Sequence, residues 1–457
     1  MSIVSSIMVP HPPLIVPKIG KGKELEISNT VKAYNDACKF VKDSKPDTII
    51  IISPHSTYFN DYFHILTDYE TKGSLINFGD SEDSFELDTD TEFIEELSEL
   101  YKDCGFLGEK NTTLDHGTMV PLYFLNKYIT DVKYIVIGLS GLPLKEHYKL
   151  GMCIREVSNK LNRRVSIVAS GDLSHKLLET GPYGFNKYGP IYDKKIMNTM
   201  SKAKFNELLE YDDTLLKEAA ECGHPSFTIM AGAYDRENVE SKQLSYEGTF
   251  GVGYGVCTFK SKTANNNRNF YEKYLKIEKS KMNEIRSNES EYVRLARESV
   301  ENFVKNGTVL KVPNWVSKEL LDNKKAVFTT LHKYNNLRGC IGTIFPFYNS
   351  IAEEIIENAV RACHDDYRFN PVTIDELDYI TYSVDILSDI EPVYPSDRLD
   401  PKRFGVIVTS ENKRGLLLPN IDGVDTVEQQ LDIAKQKGNI SSDEEVTIQK
   451  FEVKRYY

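Results

Sequence analysis

The chain has 457 residues, of which 40% are hydrophobic and 27% are charged, and its formal net charge is −12 at pH 7. These proportions are typical of a globular protein, and the length predicts two or three domains rather than one. The acidic balance argues against a nucleic-acid partner, which would need a basic face. No stretch approaches the ~18 uninterrupted apolar residues of a membrane span, so we expect no membrane partner.

The N-terminal segment is apolar, but no basic residues precede it and no small-residue cleavage site separates it from His11-Pro12-Pro13. It therefore predicts a buried first strand rather than a signal peptide. The seven cysteines form no CxxC pair, which favours a reducing, cytoplasmic location and excludes a zinc ribbon. Most of these cysteines are predicted to be small buried hydrophobic residues, but Cys222 and Cys340 have contexts that set them apart.

Three short apolar runs predict central strands of a sheet in the first part of the chain: Thr48–Ser53, Tyr134–Leu139 and Val165–Ser170. Runs without polar alternation are typical of strands that helices cover on both faces. Amphipathic stretches separate the runs. Residues 1–262 are therefore predicted to form an α/β domain, with a central sheet flanked by helices.

A change of composition marks the end of this domain. A polar tract is followed by a stretch rich in Lys and Glu, which predicts a part-helical linker over residues 263–290. Helical periodicity then covers Glu291–Asn306. Residues 291–457 are predicted to form an α+β domain with short strands at Ala326–Leu331, Ile380–Leu387 and Gly405–Thr409.

Three histidines follow predicted strands: His11, His55 and His175. In open α/β sheets, ligands bind beyond the carboxyl ends of the strands, so these imidazoles can converge although they are far apart in sequence. Prolines beside His11 and His55 restrict the backbone and end the strand there. One such histidine alone would be more simply explained as a loop residue bonded to a backbone carbonyl, but three together indicate a shared site.

Two further segments fit this site. His116 lies just before an apolar stretch that predicts a helix, where it could meet an anionic substrate or a bound oxygen species. The segment Glu221-Cys222-Gly223-His224 offers a carboxylate, a thiol and an imidazole within four residues, ahead of an apolar helix predicted at Thr228–Ala233. Only one or two of these three groups can point inward.

Two histidines and one carboxylate on one face of an iron(II) ion leave open positions for dioxygen and a bidentate substrate. A further histidine outside the coordination shell can take the substrate hydroxyl proton and return it later. His175 and His116 are the candidates for this role, and Asp172 could orient His175. Zinc with a similar ligand set would make a hydrolase or a structural site, and the sequence leaves zinc open.

Together these motifs resemble the LigB-like class III extradiol ring-cleavage dioxygenases, and equally the related Memo family, over nearly all of residues 1–260. The dioxygenase resemblance implies that His11, His55 and Glu221 bind iron(II), that His175 is the acid/base, and that His116 lies beside a catechol-like or aminophenol-like aromatic substrate. Memo-like proteins offer a cysteine as the third ligand. Cys222 is therefore the alternative to Glu221, and a thiolate would favour copper or zinc. Between the two residues, we expect Glu221.

In the second domain, the stretch Leu337-Arg338-Gly339-Cys340-Ile341-Gly342 draws attention to its cysteine. A cysteine beside an arginine could have a lowered pKa and act as a nucleophile. Residue chemistry alone favours a cysteine packed inside a strand, because only His332 and His364 could serve as a base. The six residues match the signature of the AMMECR-type domain, with further matches at 366–369, 371–373 and 414–419. This resemblance implies a fold and suggests a catalytic or substrate-binding role for Cys340, but it implies no reaction.

A fusion of these two domains resembles the AmmeMemoRadiSam system, in which both occur beside a radical S-adenosylmethionine protein. The chain has no CxxxCxxC motif, so any radical chemistry would belong to that partner. Three functions remain open: an iron(II) extradiol-type dioxygenase, a Memo-like metal-binding redox component that works with such a partner, and a metal-binding interaction module without turnover. The resemblance also makes a homo-oligomer plausible.

Overall fold

The computed structural model describes residues 2–101, 105–109, 113–334, 336–394, 399–421 and 423–457. Two units are distinguished by their internal contacts, and the first ends at Lys276 while the second begins at Ile277. The boundary lies inside the helix Phe270–Asn288, which occupies most of the stretch predicted as a linker. None of the helices in the described ranges is both long and apolar enough to cross a membrane.

The first unit alternates strands and helices. Its strands are β1 (Ile3–Val9), β2 (Thr48–Ser53), β3 (Phe63–Leu66), β4 (Glu70–Ser74), β5 (Ser84–Asp88), β6 (Phe106–Glu109), β7 (Lys133–Gly138), β8 (Val165–Ser170), β9 (Glu237–Glu247) and β10 (Tyr254–Ala264). Its helices are α1 (Pro17–Gly20), α2 (Ser28–Asp43), α3 (Thr91–Leu100), α4 (His116–Leu125), α5 (Leu144–Lys160), α6 (Tyr188–Ser201), α7 (Asp213–Ala219), α8 (His224–Gly232) and α9 (Phe270–Asn288), the last of which runs across the boundary.

Eight of these strands form one mixed sheet in the order β6-β3-β7-β2-β8-β1-β10-β9, and β4 and β5 form a separate hairpin. The central strands β7, β2, β8 and β1 are parallel, whereas β10 and β9 are antiparallel to their neighbours. Parallel neighbours bring their carboxyl ends to the same edge of the sheet, which is where a site would form.

The four isoleucines of β2 show why this sheet is buried on both faces. Successive strand residues point to opposite faces. Accordingly, Ile50 and Ile52 belong to one hydrophobic core while Ile49 and Ile51 belong to the other. Helices α5 and α8 pack on the first face, and α2 and α4 pack on the second. The predicted α/β architecture is confirmed.

After the end of α9, the described residues of the second unit form α10 (Glu291–Asn306), α11 (Lys318–Asp322), β11 (Val327–Lys333), β12 (Asn336–Gly342), α12 (Ile351–His364), β13 (Ile380–Leu387), β14 (Glu391–Pro392), β15 (Phe404–Ser410), β16 (Lys413–Leu417), α13 (Val427–Lys437) and β17 (Thr447–Tyr456). The strands are antiparallel, in the order β12-β11-β13-β17-β15-β16, with β14 paired to β17. One face of β11 and β13 packs against α10 and α12. The predicted α+β class is confirmed.

The burial of the cysteines agrees with their sequence contexts. Cys222 and Cys340 are half-buried. The other four cysteines among the described residues are buried: Cys38, Cys153, Cys257 and Cys363. Among the described cysteines, the two that the motifs set apart are therefore the two that are not fully buried.

Candidate metal site

The candidate site lies at the carboxyl ends of the adjacent parallel strands β2, β8 and β1. Val9 at the end of β1 pairs with Ser170 at the end of β8, and Ile52 of β2 pairs with Ala169. His11 follows β1 by two residues and His55 follows β2 by two residues. Both imidazoles are therefore placed on the same edge of the sheet, on either side of β8.

Three donor atoms meet at this edge. The Nε2 atom of His11 lies 2.9 Å from Nε2 of His55 and 3.6 Å from Sγ of Cys222. All three donor atoms lie within 4.8 Å of one another. With metal–nitrogen bonds of about 2.05 Å and a metal–sulfur bond of about 2.3 Å, tetrahedral coordination needs nitrogen–nitrogen and nitrogen–sulfur separations of about 3.3 and about 3.6 Å. Small adjustments of the two imidazoles would therefore let these donors hold one metal ion.

Ser170 determines which nitrogen of His11 carries the proton. Its hydroxyl donates to the carbonyl oxygen of Gly117 at 2.6 Å, so it can only accept from Nδ1 of His11, 3.0 Å away. The proton of His11 therefore sits on Nδ1, and the lone pair of Nε2 faces His55 and Cys222. Fixing the tautomer of a ligating histidine through its other nitrogen is a common feature of metal sites.

A close approach between two glycines brings Cys222 to the strand end. A Cβ atom on Gly171 would lie 2.1 Å from Cα of Gly223, so neither position has room for a side chain. In this arrangement the backbone N–H of Asp172 donates to Sγ of Cys222 at 3.3 Å. The carboxylate of Asp172 in turn accepts the backbone N–H of His11 at 2.8 Å, which ties the β1 and β8 loops together.

Glu221 is placed differently from what the sequence predicted. Helix α8 begins at His224, four residues earlier than expected, because Pro225 is well tolerated in a first helical turn. The Glu221 carboxylate accepts the backbone N–H of His224 at 2.5 Å and does not belong to the group of metal donors. Burial raises the pKa of Glu221 to about 7, although hydrogen bonds from His224, Gly223 and Tyr192 oppose the rise. The geometry thus favours Cys222, the alternative third ligand, over Glu221.

His224 is buried and faces away from the donors. Its Nε2 atom lies 2.9 Å from the carbonyl oxygen of Leu208, which makes it a donor in the protein core. Burial lowers the pKa of His224 to about 4. Of the three reactive groups in this segment, only the thiol of Cys222 reaches the site.

His116 and His175 flank the donors. The ring of His116 stacks on that of His55, with centroids 4.1 Å apart, and Asp115 caps the start of α4 by accepting the N–H of Thr118 at 3.1 Å. The Nε2 atom of His175 lies 4.0 Å from Oδ2 of Asp172, which is an ion-pair distance rather than a hydrogen bond. Asp172 therefore does not hold His175 through a hydrogen bond in this arrangement.

The imidazoles of the site are in the form that binds metals. Burial, and then the proximity of His55, His116 and His175, lowers the pKa of His11 well below its usual value. Partial burial and the neighbouring His116 lower the pKa of His55 to about 4. Both rings are neutral at pH 7, as metal ligation requires. Burial raises the pKa of Cys222, and a bound cation would reverse this because a coordinated thiol loses its proton.

A cleft of about 680 Å³ opens beside His55 and His116. Phe78 and Met119 also line it, and the Phe78 ring lies 5.3 Å from that of His116. The volume is within the range of small-molecule sites, and the lining consists mostly of polar side chains with a few apolar ones. A small molecule could therefore lie in the cleft beside His55 and His116.

No motif in the sequence indicates the roles of Ser170 and of the Gly171–Gly223 contact. The available signal was the row of small residues Ala169-Ser170-Gly171 that ends an otherwise apolar strand. Small residues at such a position indicate that another backbone approaches closely. The identity of that backbone, the turn before α8, could not be read from the sequence.

Comparison with known families agrees with the motifs. Residues 5–257 match the family model of the catalytic LigB subunit of aromatic ring-opening dioxygenase. Residues 293–456 match the AMMECR1 family. The chain therefore belongs to the LigB family and carries an AMMECR1 domain after the LigB domain, which confirms the fused architecture that the sequence predicted.

Individual relatives include a protein of the same organisation. The chain is 40% identical to protein CA_C1420 of Clostridium acetobutylicum over 468 aligned positions, which span 100% of this chain and 99% of that protein. A Thermotoga maritima protein is 49% identical over 170 residues, which cover 37% of this chain and 98% of the relative. The crystal structure of protein PH0010 from Pyrococcus horikoshii is 33% identical, with a TM-score of 0.34, and the match covers 36% of this chain and 88% of that one.

Proposed function

We propose that the LigB domain is a Memo-like, metal-dependent redox component whose metal is held by His11, His55 and Cys222. The observation that carries this proposal is the position of Cys222, whose Sγ lies 3.6 Å from Nε2 of His11 while the Glu221 carboxylate is bound at the start of α8. A two-histidine, one-thiolate set differs from the two-histidine, one-carboxylate set of ring-cleaving iron enzymes.

The two imidazoles and the thiolate make some metals more favourable than others at this site. A thiolate favours copper(I) or zinc more than a carboxylate does, and copper is the redox-active metal of the two. We therefore propose copper for this site, with iron(II) and zinc as the alternatives that metal analysis distinguishes. When bound, the metal supplies electron transfer or Lewis acidity to a molecule in the neighbouring cleft.

The chain's own residues supply binding and proton transfer. A small aromatic compound, catechol-like or aminophenol-like, would lie in the 680 Å³ cleft against Phe78. Burial lowers the pKa of both His116 and His175, so each is a neutral imidazole that can accept a hydroxyl proton from the substrate. The nearby carboxylate of Asp172 would stabilise His175 once it is protonated.

A second candidate is an iron(II) extradiol-type dioxygenase with Glu221 as the third ligand. The family-model match over residues 5–257 supports it, as does the cleft beside His116. In this function the Glu221 carboxylate would have to leave the backbone N–H of His224 and turn towards His11. Its hydrogen bonds in the structure weigh against that movement.

Metal analysis after anaerobic purification separates the two candidates. We expect Cys222→Ser to lose most of the bound metal, Glu221→Gln to retain it, and the buried control Cys153→Ser to retain it as well. His11→Ala should lose the metal under either candidate. Retention by Cys222→Ser together with loss in Glu221→Gln would reject the redox proposal and favour the dioxygenase.

Oxygen uptake provides the activity test. A dioxygenase loaded with stoichiometric iron(II) should consume oxygen and form ring-opened products when a panel of catechols and aminophenols is added, whereas the redox component should form no ring-opened product. The AMMECR1 fusion supports a radical S-adenosylmethionine enzyme as the partner, by its resemblance to the AmmeMemoRadiSam arrangement. Complex formation between this purified chain and such an enzyme, measured with wild type and Cys222→Ser, tests that role.

A further inference from the structure

The AMMECR1 domain collects reactive side chains on one face of its sheet. Thr330 of β11 lies opposite both Cys340 of β12 and Ser383 of β13, and Asp385 of β13 lies opposite Arg455 of β17. Residues paired directly across strands, or two apart along one strand, share a face. A thiol, two hydroxyls and a carboxylate–guanidinium pair therefore point to the same side.

A cavity of about 730 Å³ lies over this face, inside the second unit. Ile285, Leu418 and Ile421 supply part of its apolar wall, and Cys340 and Arg455 are among its polar lining. The volume is that of a site for a small organic molecule. The cavity could therefore hold a compound with an apolar body and a polar end.

Tyr382 lines the cavity from the other face of the sheet, because it pairs with Leu331 and belongs to the core that α10 and α12 cover. It is only 6% exposed, and its hydroxyl has no hydrogen-bond partner in the described part of the chain. A buried polar group without a partner is unfavourable, so a bound molecule that also reaches this hydroxyl would be favoured.

The polar end of the cavity holds the groups that thiol chemistry needs. The hydroxyl of Thr330 donates to Sγ of Cys340 at 3.2 Å. Burial raises the pKa of Cys340, so the resting group is a thiol and requires a base. His332 lines the cavity too, and burial together with Arg455 lowers the pKa of its ring, which is neutral at pH 7.

Arg455 is held in place by a bidentate contact with Asp385, with both nitrogen–oxygen distances at 2.7 Å. The planar guanidinium still has further N–H donors for a carbonyl oxygen. His364, the other base that the sequence offered, is absent from the described lining and is bound at 2.7 Å to its neighbour Asp365.

We propose that this cavity is a second reactive site of the chain, in which Cys340 adds to a small, partly apolar α,β-unsaturated carbonyl compound. The apolar wall takes the hydrocarbon part, and the guanidinium of Arg455 takes the carbonyl oxygen. Soft sulfur nucleophiles add readily to the β-carbon of such compounds, and this addition releases no leaving group.

The step balances without a further reagent. His332 takes the thiol proton, the sulfur bonds to the β-carbon, and the π electron pair of the C=C bond moves towards the carbonyl oxygen beside Arg455. The proton then returns from His332 to the α-carbon. One S–H bond and one C–C π bond are lost, and one C–S bond and one C–H bond are formed.

The test uses the full chain and N-ethylmaleimide, a small conjugated carbonyl compound, with the adducts located by peptide mass spectrometry. We expect the labelling rate of Cys340 to saturate with N-ethylmaleimide concentration and to exceed, at low concentration, the rate in the urea-unfolded chain by 10-fold or more. Cys363, buried in the same domain, should remain unlabelled and so reports that the domain is folded. A rate that rises linearly and does not exceed that of the unfolded chain would overturn the proposal.

Two variants separate the cavity from general thiol reactivity. Leu418→Trp fills the cavity and should slow labelling of Cys340 at least 10-fold, whereas Leu321→Trp, on an exposed residue of α11, should leave it unchanged. His332→Gln keeps the space but removes the base, and should lower the maximal rate more than the half-saturating concentration. Equal labelling in Leu418→Trp and wild type, with Cys363 still protected, would also overturn the proposal.

Discussion

The hydroxyl of Ser170 accepts a hydrogen bond from Nδ1 of His11 at 3.0 Å while it donates to a backbone carbonyl at 2.6 Å. This pairing sets the tautomer of His11 and leaves Nε2 free to bind a metal. An orienting group of this kind typically contributes a factor of about 10–100 in metal affinity.

We therefore expect Ser170→Ala to weaken metal binding by about 10- to 100-fold, because the imidazole of His11 could then adopt either tautomer. Competition with a chromophoric chelator measures this affinity for copper(I), iron(II) and zinc. The matched control is Ser166→Ala on the same strand, whose hydroxyl is buried against Ser5 at 2.6 Å, at a distance from the site. Equal affinities in both variants would contradict the assignment.

Gly171→Ala should separate Cys222 from the two histidines. The added Cβ would lie 2.1 Å from Cα of Gly223, so one backbone segment must move. Overpacking of this kind costs about 1–3 kcal/mol, and we expect a lower unfolding temperature together with reduced metal content. In the control Gly248→Ala, the nearest atom is the side-chain Cδ1 of Leu177 at 2.8 Å, which can move aside. Wild-type metal content in Gly171→Ala would show that the glycine contact does not position Cys222.

Acid should destabilise the AMMECR1 domain through Glu376. Burial works to raise the pKa of this carboxyl, but hydrogen bonds from Arg338 and Lys333 outweigh it and lower the pKa to about 2. Because the folded-state pKa is below the unfolded one, the contribution is complete above about pH 5 and is lost as the pH falls towards 2. The loss is about 3 kcal/mol.

The fluorescence of Trp315, the one tryptophan of the chain, reports urea unfolding of this domain. We expect Glu376→Gln to be less stable than wild type at pH 7 and to show a flatter decline between pH 5 and pH 3. Glu391→Gln, an exposed glutamate on β14, should follow the wild-type profile. An identical pH dependence in Glu376→Gln would show that the ion pairs do not stabilise the fold.

Acid should also destabilise the LigB domain, through His147, and at a higher pH than it destabilises the AMMECR1 domain. This residue is buried, its Nδ1 lies 3.2 Å from the carbonyl oxygen of Pro143, and burial lowers its pKa to about 4. The unfolded chain takes up the proton near pH 6.5, so the stability falls as the pH decreases from about 6.5 to 4, by about 3 kcal/mol. We expect His147→Phe, which keeps the ring contact with Phe63, to lose correspondingly less stability. Far-UV circular dichroism follows this transition, and a decline as steep as that of wild type would contradict the prediction.

The central strands of the LigB domain could be predicted because each is a short, uninterrupted run of apolar residues. Thr48–Ser53 and Val165–Ser170 coincide with β2 and β8, since uninterrupted apolar runs are stable only between two covered faces. The same holds for Glu291–Asn306, which coincides with α10 because its apolar residues recur at helical spacing. The start of α8 was predicted four residues too late. The apolar pattern there begins after Pro225, whereas the helix itself begins at the residue before this proline.

By itself, the sequence determined the two domains and their fold classes. It also predicted that His11 and His55 converge, because the apolar runs show where the strands end and both histidines follow directly after such ends. Only the tertiary structure shows that Cys222, and not Glu221, lies beside these two histidines. Adjacent residues cannot both face the same point, and the contact between Gly171 and Gly223, together with the backbone N–H that binds Glu221, determines which of them does. The cavity beside Cys340 also became visible only in the folded domain, because the residues that line it come from helices, strands and a loop far apart in the sequence.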